Sequence, residues 1–153
     1  MNVTATMKAR LRADSGQSLV EFAISAIVFL TLIFSVIEFS FLFFAKLTLQ
    51  NAVREGGRYA ITGQALTGKA RYASILQTVE DNSMGFATSS NTQICSAVGG
   101  CSSGGGPGDT ITITVTYDYN FITPLVAVFF TGGKYTFSVS STFKNEPFPP
   151  SQT

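Results

Sequence analysis

The sequence feature that most constrains this chain is a long apolar run near its N-terminus. Leu19 to Ala45 read LVEFAISAIVFLTLIFSVIEFSFLFFA, where Glu21 and Glu38 are the only charged residues. At about 1.5 Å of rise per residue, a helix over this run is roughly 40 Å long, which exceeds the hydrocarbon core of a bilayer. The run is also longer than the apolar region of a cleaved signal peptide. We therefore predict a retained membrane-spanning helix in place of a signal peptide or a buried helix of a soluble protein.

The residues before the apolar run predict how this helix is oriented. This segment contains three basic residues, Lys8, Arg10 and Arg12, and a single acid, Asp14. Short basic flanks stay in the cytoplasm, so we expect the C-terminal part of the chain on the outer side of the membrane. The predicted organisation is a basic cytoplasmic leader, a long membrane-spanning helix, an exported α+β domain and a loose proline-rich tail, over residues 1–16, 17–62, 63–146 and 147–153.

Patterns beyond the run predict a small α+β fold. Spaced apolar residues continue the helix, and residues 68–85 have the pattern of a second, shorter helix. Alternating apolar and polar residues predict strands over 109–121 and 133–143, which we expect in an antiparallel β-sheet. Residues 87–109 are rich in Ser, Gly and Thr and predict a surface loop. The apolar stretch between the two strands contains Pro124, so it predicts a wide connection or a short strand and not a second span.

Two glycines interrupt the helical stripe that follows the run. Gly56 and Gly57 each cost about 1 kcal/mol relative to alanine inside a helix. We expect the helix either to bend there or to let another backbone approach closely. The sequence leaves open whether this stripe packs on the chain's own outer domain or on a neighbouring subunit, in which case Gly56 is an assembly residue.

The two cysteines predict a disulfide bond. Cys95 and Cys101 have five residues between them in a stretch rich in Gly and Ser. An exported compartment oxidises such a pair. A metal site is the alternative, but two thiolates without any histidine supply only half of a usual zinc ligand set. In the chain-entropy model, closing so small a loop stabilises the fold by roughly 2 kcal/mol, as a local staple.

The composition argues against catalysis and nucleic-acid binding. The chain has no histidine, which removes the commonest general base and zinc ligand, and its ten Lys and Arg are scattered and offset by nine acids. Glu80 and Asp81 are typical of a solvated helix face, and Asp109 and Asp118 of a turn and a strand surface. We predict no catalytic residue, cofactor, metal site or small-molecule substrate, and a membrane-tethered enzyme is the weakest alternative.

The residues around Gly16 resemble the processing site of type IV prepilin-like proteins. GQSLVEFA, followed by a long apolar helix, is similar to a site at which a membrane aspartyl peptidase cuts after the glycine. In those proteins a glutamate is the fifth residue of the mature chain, and Glu21 is fifth when counted from Gln17. The resemblance implies a prepilin peptidase as partner, Gly16 and Gln17 as the processing site, and a mature chain that begins at Gln17.

The continuation more narrowly resembles the TadE-like pseudopilins of the tight-adherence (Flp/Tad) pilus system. VIEFSFLFFAKLTLQNAVREGGRYA places an acid near the far end of the span, ahead of a QNAxREGxRYA stretch. The similarity implies a pilin-like fold in the bacterial inner membrane with a periplasmic domain, and incorporation into an extracellular pilus as a further option. It also implies other pilin-like subunits, the pilus assembly platform and membrane lipid as partners.

The same resemblance gives the two acids of the run a role in assembly. In such systems the glutamate that corresponds to Glu21 can pair with the N-terminal amine of an adjacent subunit. A lone carboxylate within a bilayer costs about 2.5 to 3.5 kcal/mol, so it needs a partner, a proton or access to the interface. Glu38 lies roughly 30 Å beyond Leu19 along a helix, which puts it at the outer interface. The implied function is a pseudopilin that initiates, stabilises or caps a pilus for surface attachment, and the alternative is an unprocessed single-pass scaffold of an envelope secretion complex.

Overall fold

The computed structural model describes the backbone of residues 3–148 and the side chains of residues 16–148. Within this range the elements are α1 Val3–Ile61, α2 Arg71–Asp81, β1 Thr92–Ser96, β2 Gly100–Cys101, β3 Thr110–Asn120, α3 Pro124–Ala127 and β4 Lys134–Lys144, with a 3-10 turn at Thr131–Gly133 before β4. Among the described residues, one helix is long and apolar enough to cross a membrane. The predicted α+β fold, with a long N-terminal apolar helix, a shorter helix and an antiparallel sheet, is confirmed.

Helix α1 has a free half and a packed half. Side chains from Gly16 to Leu30 are exposed except for half-buried Ala26, and the most apolar window of the helix contains no buried residue. Farther along, a stripe at three- and four-residue spacing is buried against α2, β3 and β4; its residues are Leu42, Ala45, Leu49, Ala52, Val53 and Ala60. The C-terminal half of α1 is thus the central helix of the outer domain, and the N-terminal half projects away from that domain.

The sheet covers this packed half with one of its faces. Its strand order is β2-β1-β3-β4, and all neighbouring strands are antiparallel. Ile111, Ile113 and Val115 of β3 are fully buried, as expected for the inward-facing positions of an alternating strand. On the opposite face, hydroxyl groups pair across β3 and β4 at 3.0 Å in three successive rungs, Thr112–Thr142, Thr114–Ser140 and Thr116–Ser138.

The structure tests two connections predicted from the sequence. The prediction of an unstructured loop over 87–109 is wrong, because β1 and β2 form there and Ile94 of β1 is completely buried opposite Ile113. The connection between β3 and β4 is not a short strand, one of the two predicted options, but a wide connection over residues 121–133. It folds into α3 with Pro124 at its first turn, where a missing N–H costs no hydrogen bond, and ends in the 3-10 turn.

The helix passes through its glycine pair without ending. A Cβ atom at Gly56 would lie 2.3 Å from Val79 Cγ2, and one at Gly57 would lie 2.2 Å from the ring of Phe143. Both distances are far below van der Waals contact, so these glycines let α2 and β4 approach α1 closely. In the described residues the chain's own domain packs on this stripe.

The structure bears on two of the predicted segments, the leader and the tail. Helix α1 continues from Val3 through Gly16, so the predicted leader boundary falls inside a continuous helix. Of the tail predicted to be loose, residues 149–153 lie outside the described residues. Phe148, in the same predicted tail, is buried against Gly63 and Arg71.

Candidate functional site

The predicted processing site lies on the free half of α1. Gly16, Gln17 and Glu21 are all exposed, and no atom lies within 4 Å of a Cβ placed on Gly16. Gln17 Nε2 donates a hydrogen bond of 3.2 Å to Glu21 Oε1, one helical turn away. Because this surface is open on all sides, a second molecule can reach both the Gly16–Gln17 bond and the Glu21 carboxylate.

Glu38 has the opposite environment, because it is buried in a joint between α1 and the outer domain. Its side chain is 1% exposed. Tyr119 Oη donates a hydrogen bond of 2.9 Å to Oε2, and the backbone N–H and hydroxyl of Thr123 both donate to Oε1. Each carboxylate oxygen therefore has at least one donor, which compensates for the loss of water around a buried charge.

This joint also determines the protonation of Tyr119. Burial, together with the hydrogen bond to Glu38 and its negative charge, raises the pKa of the Tyr119 hydroxyl to about 12. Tyr119 is consequently a protonated donor at any physiological pH. Its hydrogen bond to Glu38 holds β3 against α1. Thr123, the residue before α3, binds the same carboxylate. No sequence pattern indicates Tyr119 and Thr123 as partners of Glu38, because they are 81 and 85 residues away from it in the chain.

The three predicted assembly residues are not brought together. Glu21 and Glu38 are separated by roughly 26 Å along α1, and Gly56 lies about as far beyond Glu38. Glu21 is solvent-exposed, Glu38 is hydrogen-bonded within the chain, and Gly56 contacts α2. Their roles in assembly stay predictions.

The cysteine pair lies at the far end of the sheet. Cys95 and Cys101 are directly opposite each other on β1 and β2, with sulfur atoms 2.12 Å apart, at disulfide-bonding distance. Nearby, Asp109 accepts hydrogen bonds from the hydroxyl of Ser96 and from the backbone N–H of Thr110. The hydrogen bond from Ser96 is the main reason that the pKa of Asp109 lies below its usual value. Asp109 is therefore a structural hydrogen-bond acceptor, and its backbone N–H closes a turn onto Gly106 O, as the sequence predicts for a turn residue.

A buried arginine joins the end of α1 to the loop around Gly105. Arg71 is 4% exposed and donates hydrogen bonds to the carbonyl oxygens of Ala60 and Gly105. Its guanidinium carbon lies 4.2 Å from the ring centroid of Phe148, a cation–π distance. Burial lowers the pKa of Arg71. No local sequence pattern indicates this role, since basic residues at the start of a helix are usually solvated.

A groove with mainly apolar walls adjoins α1. A cavity of about 310 Å³ opens between the helix and β4, and its walls are Phe39, Leu42, Phe43, Lys46, Phe130, Tyr135 and Phe137. Within residues 16–148, no group of three or more His, Cys, Asp or Glu side chains is arranged to hold a metal ion. The chemistry that this geometry offers is contact between apolar surfaces.

Comparison with known proteins identifies the same helix. The protein family described as TadE-like protein matches residues 16–58, a little more than a quarter of the chain. No curated protein and no solved structure matches it. The matched range contains Gly16, Glu21, Glu38 and Gly56, and it ends before α2 and the sheet.

Proposed function

We infer, from the TadE-like region at residues 16–58, that this chain is a minor pilin-like protein associated with the Tad pilus. We propose that it assembles through the N-terminal half of α1 and works by assembly, without catalysis. Its partners are other pilin-like subunits and the pilus assembly platform, and its role is to initiate, stabilise or cap a pilus for surface attachment.

The observation that carries this proposal is the division of α1 into two halves. The side chains of residues 16–30 are exposed apart from half-buried Ala26, whereas the stripe from Leu42 to Ala60 is buried against the outer domain. A free apolar helix surface needs another apolar environment. In the membrane, this apolar environment is supplied by lipid. In a fibre, it is supplied by the helices of neighbouring subunits. The same half can therefore serve first as an anchor and then as an assembly surface.

The proposed location is the bacterial inner membrane, with the leader in the cytoplasm and the outer domain in the periplasm. The basic residues before the span support this orientation. The cysteine pair at bonding distance fits it as well, because disulfides persist in the oxidising periplasm. The further steps are cleavage by a prepilin peptidase after Gly16 and pairing of Glu21 with the new amine of an adjacent subunit.

Replacement of Glu21 tests the proposed function. Glu21→Gln keeps the shape of the side chain and lowers the cost of its insertion into lipid, but it removes the charge that selects an amine partner. We expect the variant to insert and fold normally and to cross-link or co-purify with pilus components less than the wild type does, at equal abundance in the membrane.

The matched control removes one acid from the outer domain. Glu146→Gln changes the net charge equally at an exposed position after β4, so it should assemble as the wild type does. If Glu21→Gln assembles normally too, Glu21 is a bystander at the interface and the pairing step is wrong.

One observation favours the alternative of an unprocessed membrane scaffold. The backbone of α1 is helical on both sides of Gly16, whereas a peptidase has to bind its substrate in an extended form to reach the scissile bond. If the chain is processed as proposed, the helical turn at Gly16 unwinds in the peptidase. The free-energy cost of unwinding is small because no atom packs against this position. The mass of the mature N-terminus distinguishes the two functions.

A further inference from the structure

The connection between β3 and β4 carries an exposed apolar surface that assembly through α1 does not use. Residues 121–133 contain no charged side chain. Ile122 is 76% exposed, Val128 82% and Phe129 76%. Three large apolar side chains this exposed, within eight residues, form a patch that the chain itself leaves uncovered.

This patch lies beside the part of α1 that is able to cross a membrane. Helix α3 packs against α1, and a groove of about 450 Å³ runs between the two. Its walls are Ile27 and Thr31 from α1 and Pro124, Leu125, Val128 and Phe129 from the connection. The connection therefore turns back along the free half of α1, toward the N-terminus and away from the sheet.

The depth of the patch follows from helix geometry. Ile27 and Thr31 precede Glu38 by eleven and seven residues, which corresponds to roughly 10 to 16 Å along the helix axis. A hydrocarbon core of about 30 Å that begins at Leu19 ends near Glu38. On the proposed function, in which α1 spans the membrane, Val128 and Phe129 thus lie below the outer surface of that core.

Most backbone N–H groups of the connection meet the requirement that lipid imposes. Within a bilayer each N–H and C=O needs an internal partner. The N–H groups of Val126 and Ala127 donate to Thr123 O, and those of Val128, Phe129 and Phe130 donate to carbonyl oxygens three or four residues earlier. Thr123 N–H donates to Glu38, and Pro124 has no N–H to satisfy. At least six of the eight backbone N–H groups of residues 122–130 thus have partners within the chain, including the one bound by the Glu38 carboxylate.

We propose that residues 122–130 insert into the outer leaflet of the membrane and that lipid acyl chains cover Ile122, Val128 and Phe129 and occupy the groove beside Ile27. The inference rests on the proposed membrane span. The absence of charge, the internal pairing of most backbone N–H groups and the contact with the span favour acyl chains over a protein partner as the occupant. Glu38, held by Thr123 and Tyr119, then fixes the depth of the insertion, and the outer domain has two membrane contacts in place of one.

Tryptophan scanning with brominated lipid tests this inference. The chain contains no tryptophan, so Phe129→Trp gives a single probe that replaces one exposed ring with another. Phe29→Trp reports on the span itself, and Val98→Trp, at a residue that is 87% exposed in the outer domain, reports on a position in water. Val128→Trp repeats the measurement at a second site in the patch. The full chain is reconstituted in phosphatidylcholine vesicles with and without bromine on the acyl chains.

We expect bromine to remove most of the fluorescence of the probes at 29, 128 and 129 and to leave the probe at 98 unchanged. If bromine quenches the probe at 29 but not the probes at 128 and 129, the insertion is wrong and the membrane span stands. This holds whether the emission of the unquenched probes indicates water or a protein contact. Absence of quenching at 29 overturns the span and the insertion together.

Discussion

At the scale of single residues, the two acids of α1 have opposite surroundings. Glu21 is exposed and shares one hydrogen bond with Gln17, whereas Glu38 is buried and accepts from Tyr119 and Thr123. The first carboxylate is available to another molecule, and the second already has its donors within the chain. We therefore propose that Glu38 contributes to assembly indirectly, by fixing the angle and depth of α1 relative to the outer domain.

Removal of the Tyr119 hydroxyl tests this joint. Tyr119→Phe deletes one hydrogen bond to a buried carboxylate, and such bonds contribute about 1.5 to 3 kcal/mol. We expect the free energy of unfolding in detergent, measured with denaturant, to fall by about that amount. Tyr135→Phe, on β4 with 45% of the side chain exposed, is the control and should change little. Equal stability of the two variants would show that the contact with Glu38 contributes nothing.

The lowered pKa of Asp109 predicts a dependence of stability on pH. Between the lowered pKa of the folded state and the usual value of about 3.9, the unfolded chain binds more protons. The stabilisation is therefore complete above the usual pKa and is lost as the pH falls through the lowered one. We expect Asp109→Asn to flatten the acid limb of a thermal-unfolding profile recorded from about pH 5 down to about pH 2. Asp81→Asn, at the exposed end of α2, serves as the control, and an unchanged limb in Asp109→Asn would refute the assignment.

At the scale of elements, Gly56 and Gly57 determine how closely α2 and β4 approach α1. Alanine has the better helix propensity by about 1 kcal/mol, but the added methyl groups would overlap Val79 and Phe143, and overpacking typically costs about 1 to 3 kcal/mol. We expect Gly56→Ala and Gly57→Ala to lower the thermal midpoint of the outer domain. Gly106→Ala, where no atom lies within 4 Å of the new Cβ, should leave it nearly unchanged. A rise in the midpoint of both helix variants would mean that these elements shift easily.

The elements also differ in how well the sequence predicts them. Strands β3 and β4 are each eleven residues long and alternate regularly, so their periodicity is visible without any partner. Strand β1 has five residues and becomes a strand because β3 offers an edge on which Ile94 is buried, and β2, with two residues, pairs in turn with β1. Helix α3 is a single turn, so its position depends on contact with α1 and on the donors that Glu38 requires.

At the scale of the whole molecule, α1 connects an exposed apolar half to a packed domain. Processing after Gly16 would leave the packed half intact, because the buried stripe begins more than twenty residues later. We expect N-terminal mass analysis of protein extracted from membranes to show a chain that begins at Gln17. An intact leader in cells that contain the peptidase would instead support the scaffold function. Cyclisation of Gln17, seen as loss of ammonia, would remove the amine and with it the proposed partner of Glu21.

The sequence by itself determines the features that depend on neighbouring residues. The apolar length of α1, the shorter helix α2, the alternation of β3 and β4 and the TadE-like order from Gly16 to Ala60 are all local patterns, and each can be recognised without knowledge of the fold. The proximity of the two cysteines follows from their short separation in the chain.

Tertiary structure decides what lies opposite each residue. The same carboxylate type is exposed at Glu21 and buried at Glu38 because β3 and α3 return to α1 only at the second site. The glycine pair faces α2 and β4, Arg71 binds two carbonyl oxygens from distant segments, and the uncharged connection turns back along the exposed half of α1. Such contacts join residues many positions apart, and their partners are set by the packing of the entire outer domain around one half of a helix.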